Sequence, residues 1–250
     1  MSTVLLTAFT CGWMTLPTAF FLEGEEGNLR IPAIAFLIDH PKGLALFDTG
    51  LGARFEQPPG APPRGVELES EGRIGKRLEA IGVDPLKIRW IINSHLHTDH
   101  AGGNRDLPNA TVVVQQVEWD FAFQGKDRAY HQAEFDTGQP VMKVQGEHDM
   151  FGDGSVMLFP SPGHTPGHQC ARVRTPTGVA ILAADCCNLR RSIDELRLPD
   201  HCFNPQQYLD TLKLLRSRER LGERVFPGHD PDFWAAMPQN RAMDRLVTQS

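Results

Sequence analysis

The run His95-Leu96-His97-Thr98-Asp99-His100, which follows the apolar stretch Trp90-Ile91-Ile92, constrains this chain more than any other segment. It places four potential metal ligands within six residues. His95 and His97 are two apart, so their imidazoles share a side on an extended segment, whereas on a helix that spacing would splay them around the axis. The run is therefore expected at the end of a strand over 87–93 and in the loop that follows it. Imidazole nitrogens with a carboxylate suit Zn²⁺ or a neighbouring first-row metal, while an all-oxygen set would have pointed to Mg²⁺ or Ca²⁺.

The 250 residues suffice for one large α/β or layered domain over 1–250, with no internal repeat and no long linker. A formal net charge of −6 argues against a nucleic-acid footprint, since phosphate binding needs clustered Lys and Arg. Arg190-Arg191 and the basic residues of 216–220 are short clusters and read as a solvated face. Cys11, Cys170, Cys186, Cys187 and Cys202 form no Cys-x-x-Cys pair and are odd in number. They suggest neither a disulfide framework nor a thiolate zinc site, and a reducing cytoplasm fits them. The uncharged opening 1–22 lacks a basic leader segment and is interrupted by Thr10, Gly12, Thr15 and Pro17, so it reads as the first strands of the fold. No stretch approaches the roughly 20 apolar residues of a membrane-spanning helix.

Apolar runs at 33–39 and 43–47, separated by His40-Pro41-Lys42, predict a hairpin ending at Asp48-Thr49-Gly50. The proline-rich 54–65 reads as a surface loop of the kind that forms lids or binding loops. A helix is expected over 71–81 with Ile74, Leu78 and Ile81 on one face, stopped by Gly82. Further strands are expected at 110–115, 155–160 and 178–183. A helix starts over 117–123, with Trp119, Phe121 and Phe123 read as core. The segment 205–220 is an amphipathic helix with Tyr208, Leu212 and Leu215 inward. A layered α/β protein follows.

Three later segments repeat one pattern, an apolar run leading to a ligand-type residue in a turn. Leu158-Phe159-Pro160 leads to Ser161-Pro162-Gly163-His164-Thr165-Pro166-Gly167-His168; the run 179–184 ends at Asp185; Arg224-Val225-Phe226 leads to Pro227-Gly228-His229-Asp230. A packed strand end can present such a residue rigidly.

Taken together, these segments resemble the metallo-β-lactamase superfamily over about 34–230, within it most closely the N-acyl-homoserine lactone lactonases. Asn93 to Asn104, Val114-Gln115-Gln116-Val117-Glu118-Trp119, Gly228-His229-Asp230 and the opening up to Asp48-Thr49-Gly50 carry that similarity. The resemblance implies a four-layer αβ/βα sandwich. It implies His95, His97 and His164 on one divalent metal ion, Asp99, His100 and His229 on a second, and Asp185 bridging both. Zn²⁺ is the ion expected, although such ligands also accept Mn²⁺, Fe²⁺ or Co²⁺. Those lactonases usually place a tyrosine three residues after the bridging aspartate, where it meets the substrate carbonyl, and this chain has Asn188. They often carry an aromatic residue where this chain has Thr98.

The implied activity is opening of a lactone, such as an N-acyl-homoserine lactone, by a hydroxide bridging two cations about 3.5–4 Å apart. The alternatives are hydrolysis of another ester, a glyoxalase II-like thioester or an organophosphate triester on the same centre, and below these a non-catalytic metal-binding protein. Asp99 is expected to shuttle a proton to the leaving alkoxide. Asn188 is either an oxyanion donor through its amide nitrogen or a plain turn residue. Asp48 either orients a ligand histidine or caps a turn. His168 is expected to be structural or to support a ligand, and His201 to touch substrate. His40, His131 and His148 read as surface residues, and Cys186 and Cys187 as small buried hydrophobes. The expected partner is a small-molecule substrate, with no nucleic acid and no membrane; a homodimer stays open.

Overall fold

The computed structural model describes residues 3–243 except 59, 61, 63 and 64. The first sheet is built from β1 (Leu5–Pro17), β2 (Asn28–His40), β3 (Gly43–Phe47), β4 (Val66–Glu67), β5 (Ile88–Ile92), β6 (Thr111–Gln115) and β7 (Val141–Val144), in the order β4-β1-β2-β3-β5-β6-β7. The second contains β8 (His148–Asp149), β9 (Val156–Pro160), β10 (Gln169–Thr175), β11 (Gly178–Ala184) and β12 (Arg224–Pro227), in the order β12-β11-β10-β9-β8. Among the described residues seven α-helices join them: α1 (Ile74–Ala80), α2 (Thr98–Ala101), α3 (Gln116–Ala122), α4 (Gln132–Phe135), α5 (Arg190–Glu195), α6 (Pro205–Arg220) and α7 (Pro231–Ala236).

Period-two alternation explains the layering. In β2, Ile34, Phe36 and Ile38 face a core shared with Leu158, Ala180 and Leu182 of the second sheet, while Ala35 and Leu37 face the opposite way, toward Ile74 and Leu78 of α1. In β11, Ile181 and Ala183 turn outward to meet Tyr208, Leu212 and Leu215 of α6. Two sheets thus pack face to face with helices on both outer sides, the four-layer αβ/βα sandwich expected from the sequence.

β10 is a strand that the sequence pattern does not announce, and β2 extends beyond its apolar run 33–39 at both ends. The histidine run, expected wholly in strand and loop, forms a helical turn at Thr98–Ala101. Of the proline-rich loop, Pro59, Ala61, Pro63 and Arg64 lie outside the described residues, and its described residues are not among those lining the cleft below. His40, expected at the surface, is buried: its ring stacks on Phe151 at 3.8 Å and its Nε2 lies 3.1 Å from Asp153. Those partners come from more than a hundred residues away, beyond the reach of local pattern.

Candidate metal centre

Strand register gathers the ligand-type residues at one end of the sandwich. β3 and β5 are parallel with Phe47 opposite Ile92, so Asp48 and Asn93-Ser94-His95 leave the sheet side by side. In the second sheet β11 and β12 are parallel with Ala184 opposite Pro227, which sets Asp185 beside Gly228-His229. The antiparallel pair β9–β10 closes with Pro160 opposite Gln169, and the connection carrying His164 stands between them. Ala184 takes φ 45° and ψ −137°, a conformation rarely adopted by a residue with a side chain. That strain lies immediately before Asp185, where strained backbone commonly serves a site.

The structure brings together His95, His97 and His164 in one cluster, Asp99, His100 and His229 in another, and His95, His100 and Asp185 between them, with the candidate donor atoms of each group within 4.8 Å of one another. Asp185 spans the clusters: Oδ1 lies 2.9 Å from His100 Nε2 and 3.0 Å from His229 Nε2, and Oδ2 lies 3.3 Å from His164 Nε2. His97 Nδ1 and His164 Nε2 are 3.1 Å apart. Asp99 Oδ2 sits 3.4 Å from His229 Nε2 and 3.5 Å from His100 Nε2.

Hydrogen bonds behind the rings fix which nitrogens face inward. Asp48 can only accept, and it takes the proton of His100 Nδ1 at 2.8 Å and that of Ser94 Oγ at 2.8 Å. With its proton committed, Ser94 Oγ accepts from His95 Nδ1 at 3.0 Å. His229 Nδ1 donates to the Pro32 carbonyl at 2.8 Å. The Nε2 atoms of His95, His100 and His229 are thereby turned to the centre, where His95 Nε2 is buried without a hydrogen-bond partner. Once His100 and His229 carry no extra proton, the converging imidazole nitrogens and carboxylates fit divalent cations of the N/O-preferring kind, in tautomers that the surrounding hydrogen bonds dictate. Asp48 thus holds one ring directly and a second through Ser94, with its backbone at φ 57°.

Charge in the metal-free site is uneven. Burial pushes His95 well below its ordinary range, reinforced by His100, His97 and His164, and burial takes His164 down to about 4. Burial also opposes a charged His100, but Asp185, Asp99 and Asp48 outweigh it and hold that imidazole well above its usual range. Asp99 feels the same burial penalty, overcome by His100 and His229, and comes down to about 2.

The cleft above these residues encloses about 520 Å³. Met14, Leu16, Phe20, Phe21 and Ile31 form an apolar wall, and Phe121 and Phe203 stand at another side with their rings 5.3 Å apart. Phe121, expected in the core, is thus a cleft residue, and Phe123 is 45% exposed, although its ring and that of Trp119 both pack edge-on against Phe135. His201 lines the cleft beside Phe20, and Thr98 lines it while tied to Arg54 and Glu134. His168 is buried with Nδ1 2.8 Å from Ser161 Oγ and its ring 5.2 Å from that of His95. His131 is exposed and His148 half-buried, and Cys186 and Cys187 are buried free thiols. Asn188 lines the cleft, with its amide nitrogen 3.3 Å from Tyr208 Oη.

Residues 31–229 match the metallo-beta-lactamase superfamily. The chain belongs to this superfamily. Among its members, the N-acyl homoserine lactonase AttM of Azorhizobium caulinodans is 33% identical over 85% of this chain and 87% of its own length. The N-acyl homoserine lactonase AiiA of Bacillus thuringiensis subsp. kurstaki is 27% identical over 81% of this chain and 82% of its own. A solved N-acyl homoserine lactone hydrolase with the product N-hexanoyl-L-homoserine at its catalytic metal centre shares the fold, with a TM-score of 0.87 at 24% identity over 97% of this chain and 100% of that one.

Glu118 went unassigned by sequence reasoning. It is fully buried and accepts four hydrogen bonds, from Leu96 N at 3.1 Å, Tyr130 Oη at 2.7 Å, Thr165 Oγ1 at 2.7 Å and Gly167 N at 3.1 Å. One carboxylate therefore ties the histidine run to the loop that carries His164. A lone acid on the inward face of a short aromatic helix was the available signal. The close approach also needs Gly167, where a Cβ would stand 2.2 Å from Glu118 N.

Proposed function

We propose that this protein is a two-metal hydrolase that opens N-acyl-homoserine lactones, a quorum-quenching activity. The observation that carries the reading is the Asp185 carboxylate, shared between two imidazole clusters at the floor of a largely apolar cleft. The named relatives act on this substrate class, and the cleft's apolar wall suits an acyl chain. His95, His97 and His164 would hold one cation, Asp99, His100 and His229 the other, with Asp185 between them, and Zn²⁺ is the ion we propose. When bound, the cations supply a nucleophile from water near neutral pH and polarise the ester carbonyl.

The chain's own groups do the rest. Asp99 is held ionised beside His100 and His229 and is placed to take the proton that the attacking water gives up. It returns that proton to the ring oxygen as the acyl C–O bond breaks, leaving a hydroxyl and a carboxylic acid whose remaining proton ionises to solvent. Asp48 and Ser94 keep the ligand rings in their working tautomers throughout. His201 and the apolar wall contact the acyl group. Five free thiols suit a reducing compartment, and we place the enzyme in the cytoplasm.

Purified protein should carry two equivalents of metal and lose turnover in chelator. In a panel of lactones of graded acyl length, a simple ester, a thioester and a phosphotriester, the N-acyl-homoserine lactones should lead in kcat/KM by orders of magnitude. Metal-replete protein that opened no lactone of any acyl length would sink the proposal.

A further inference from the structure

We infer that Asn188 Oδ1 accepts the amide N–H of the substrate, which makes this side chain a selector for α-acylamino lactones over lactones that lack that donor. The inference rests on the lactonase reading above. Its geometry begins at Tyr208, which is fully buried. The phenol has one proton, and it donates that proton to the Asp185 backbone carbonyl at 2.8 Å, a group that can only accept. Tyr208 Oη is then left as an acceptor, so the end of the Asn188 amide lying 3.3 Å away must be the nitrogen. An amide is planar, and fixing its nitrogen on the α6 side turns its oxygen away from α6.

Three observations identify what Oδ1 is for. It is buried and has no hydrogen-bond partner within the protein. Its residue lines the cleft together with Asp99, Asp185 and His229. Its backbone is pinned to the metal centre, because His229 N donates to the Asn188 carbonyl at 2.8 Å. A buried acceptor without a partner is costly unless a ligand brings the donor. In an N-acyl-homoserine lactone the ring offers only acceptor oxygens, and the amide beside the ring supplies the N–H. Oxygen at this position therefore favours that amide, whereas a hydroxyl or an amide nitrogen there would favour a carbonyl.

The test compares an N-acyl-homoserine lactone with its carba analogue, in which CH₂ replaces the amide N–H at the same ring and chain length. Both are assayed with metal-replete wild type, Asn188→Leu and Tyr208→Phe, each checked for metal content and thermal unfolding. Wild type should prefer the amide by about tenfold or more in kcat/KM, since a site built to bond an N–H rejects the analogue without it. Asn188→Leu should bring that ratio close to one. Tyr208→Phe leaves Asn188 in place but frees its amide to turn, so the ratio should shrink there too, and this variant carries the test if the leucine protein does not fold. Dissociation constants of the uncleavable cyclopentyl amide and its carba counterpart should show the same preference. Equal wild-type efficiency on both lactones, or an Asn188→Leu loss that leaves the ratio unchanged, overturns the inference and spares the lactonase reading. Hydrolysis of neither lactone overturns both.

Discussion

At Asp48 a single carboxylate reaches two imidazoles of the proposed metal centre by different routes, directly at His100 and through Ser94 at His95. From sequence the residue was balanced between this role and a turn cap, because the motif Asp48-Thr49-Gly50 serves either. The deciding information is the β3–β5 register, which no local pattern displays. Asp48→Asn should leave the fold standing, since asparagine tolerates the left-handed backbone found there. It removes one carboxylate oxygen from a network that needs both. Metal affinity should fall about 10–100-fold, as for other groups that orient metal-bound histidines. Competition with a chromogenic chelator would measure this, and an unchanged affinity would reduce Asp48 to a turn residue.

Among the elements, the ends of β11 and β12 are packed with little tolerance. A Cβ at Gly228 would lie 2.6 Å from the Ala184 carbonyl carbon, next to the strained peptide that aims Asp185. Gly228→Ala should therefore cost about 1–3 kcal/mol, the usual range for overpacking. Thermal unfolding should record that loss, with weakened metal binding alongside it; a variant with wild-type stability and affinity would show that the strand ends yield freely. Elements with a strong period were legible in sequence. The observed bounds of α6 match those expected, with Tyr208, Leu212 and Leu215 buried as its pattern required. β10 was not, because its Arg172 and Arg174 break the apolar run and its entry, His168-Gln169, reads as part of a turn. Phe121 was misread for a related reason: an aromatic on a short helix shows its period but not which neighbour it faces, and here the neighbour is a cleft.

Across the whole molecule, the proposed ligand set makes protons and metal compete for the same groups. In the metal-free protein His100 titrates well above its ordinary 6.5. Its stabilising contribution is therefore complete below that pH and lost as pH rises through the raised folded-state value. Asp99 runs oppositely: with a folded value of about 2 against an ordinary 3.8, its contribution holds above the ordinary value and fades as pH falls toward 2. Metal requires His100 and His229 without their extra protons, so uptake should release protons and apparent affinity should rise with pH. His95 and His164 are already neutral and release none. Titration calorimetry near neutral pH in buffers of different ionisation heat should thus find one metal equivalent accompanied by more proton release than the other. Zero release for both would contradict the charge distribution described above. The ligand types were legible in the sequence because strand ends and turns mark them locally; the protonation pattern was not, since it arises from burial and from carboxylates that meet only in the folded chain.

The division of ligands between the sheets also sets an order of events. His95, His97, Asp99 and His100 leave the first sheet, while His164, Asp185 and His229 leave the second, so neither sheet alone owns a complete set. On the proposed assignment each cation draws on both halves, so we expect metal uptake to be a closing step of folding and no part of its nucleus. Added metal should accordingly slow unfolding while leaving the refolding rate nearly unchanged, as expected for interactions absent from the transition state. Stopped-flow refolding with and without cation would show this, and faster refolding in its presence would place the ions earlier. The proposed metal centre would then also be a latch that helps keep the two sheets from parting.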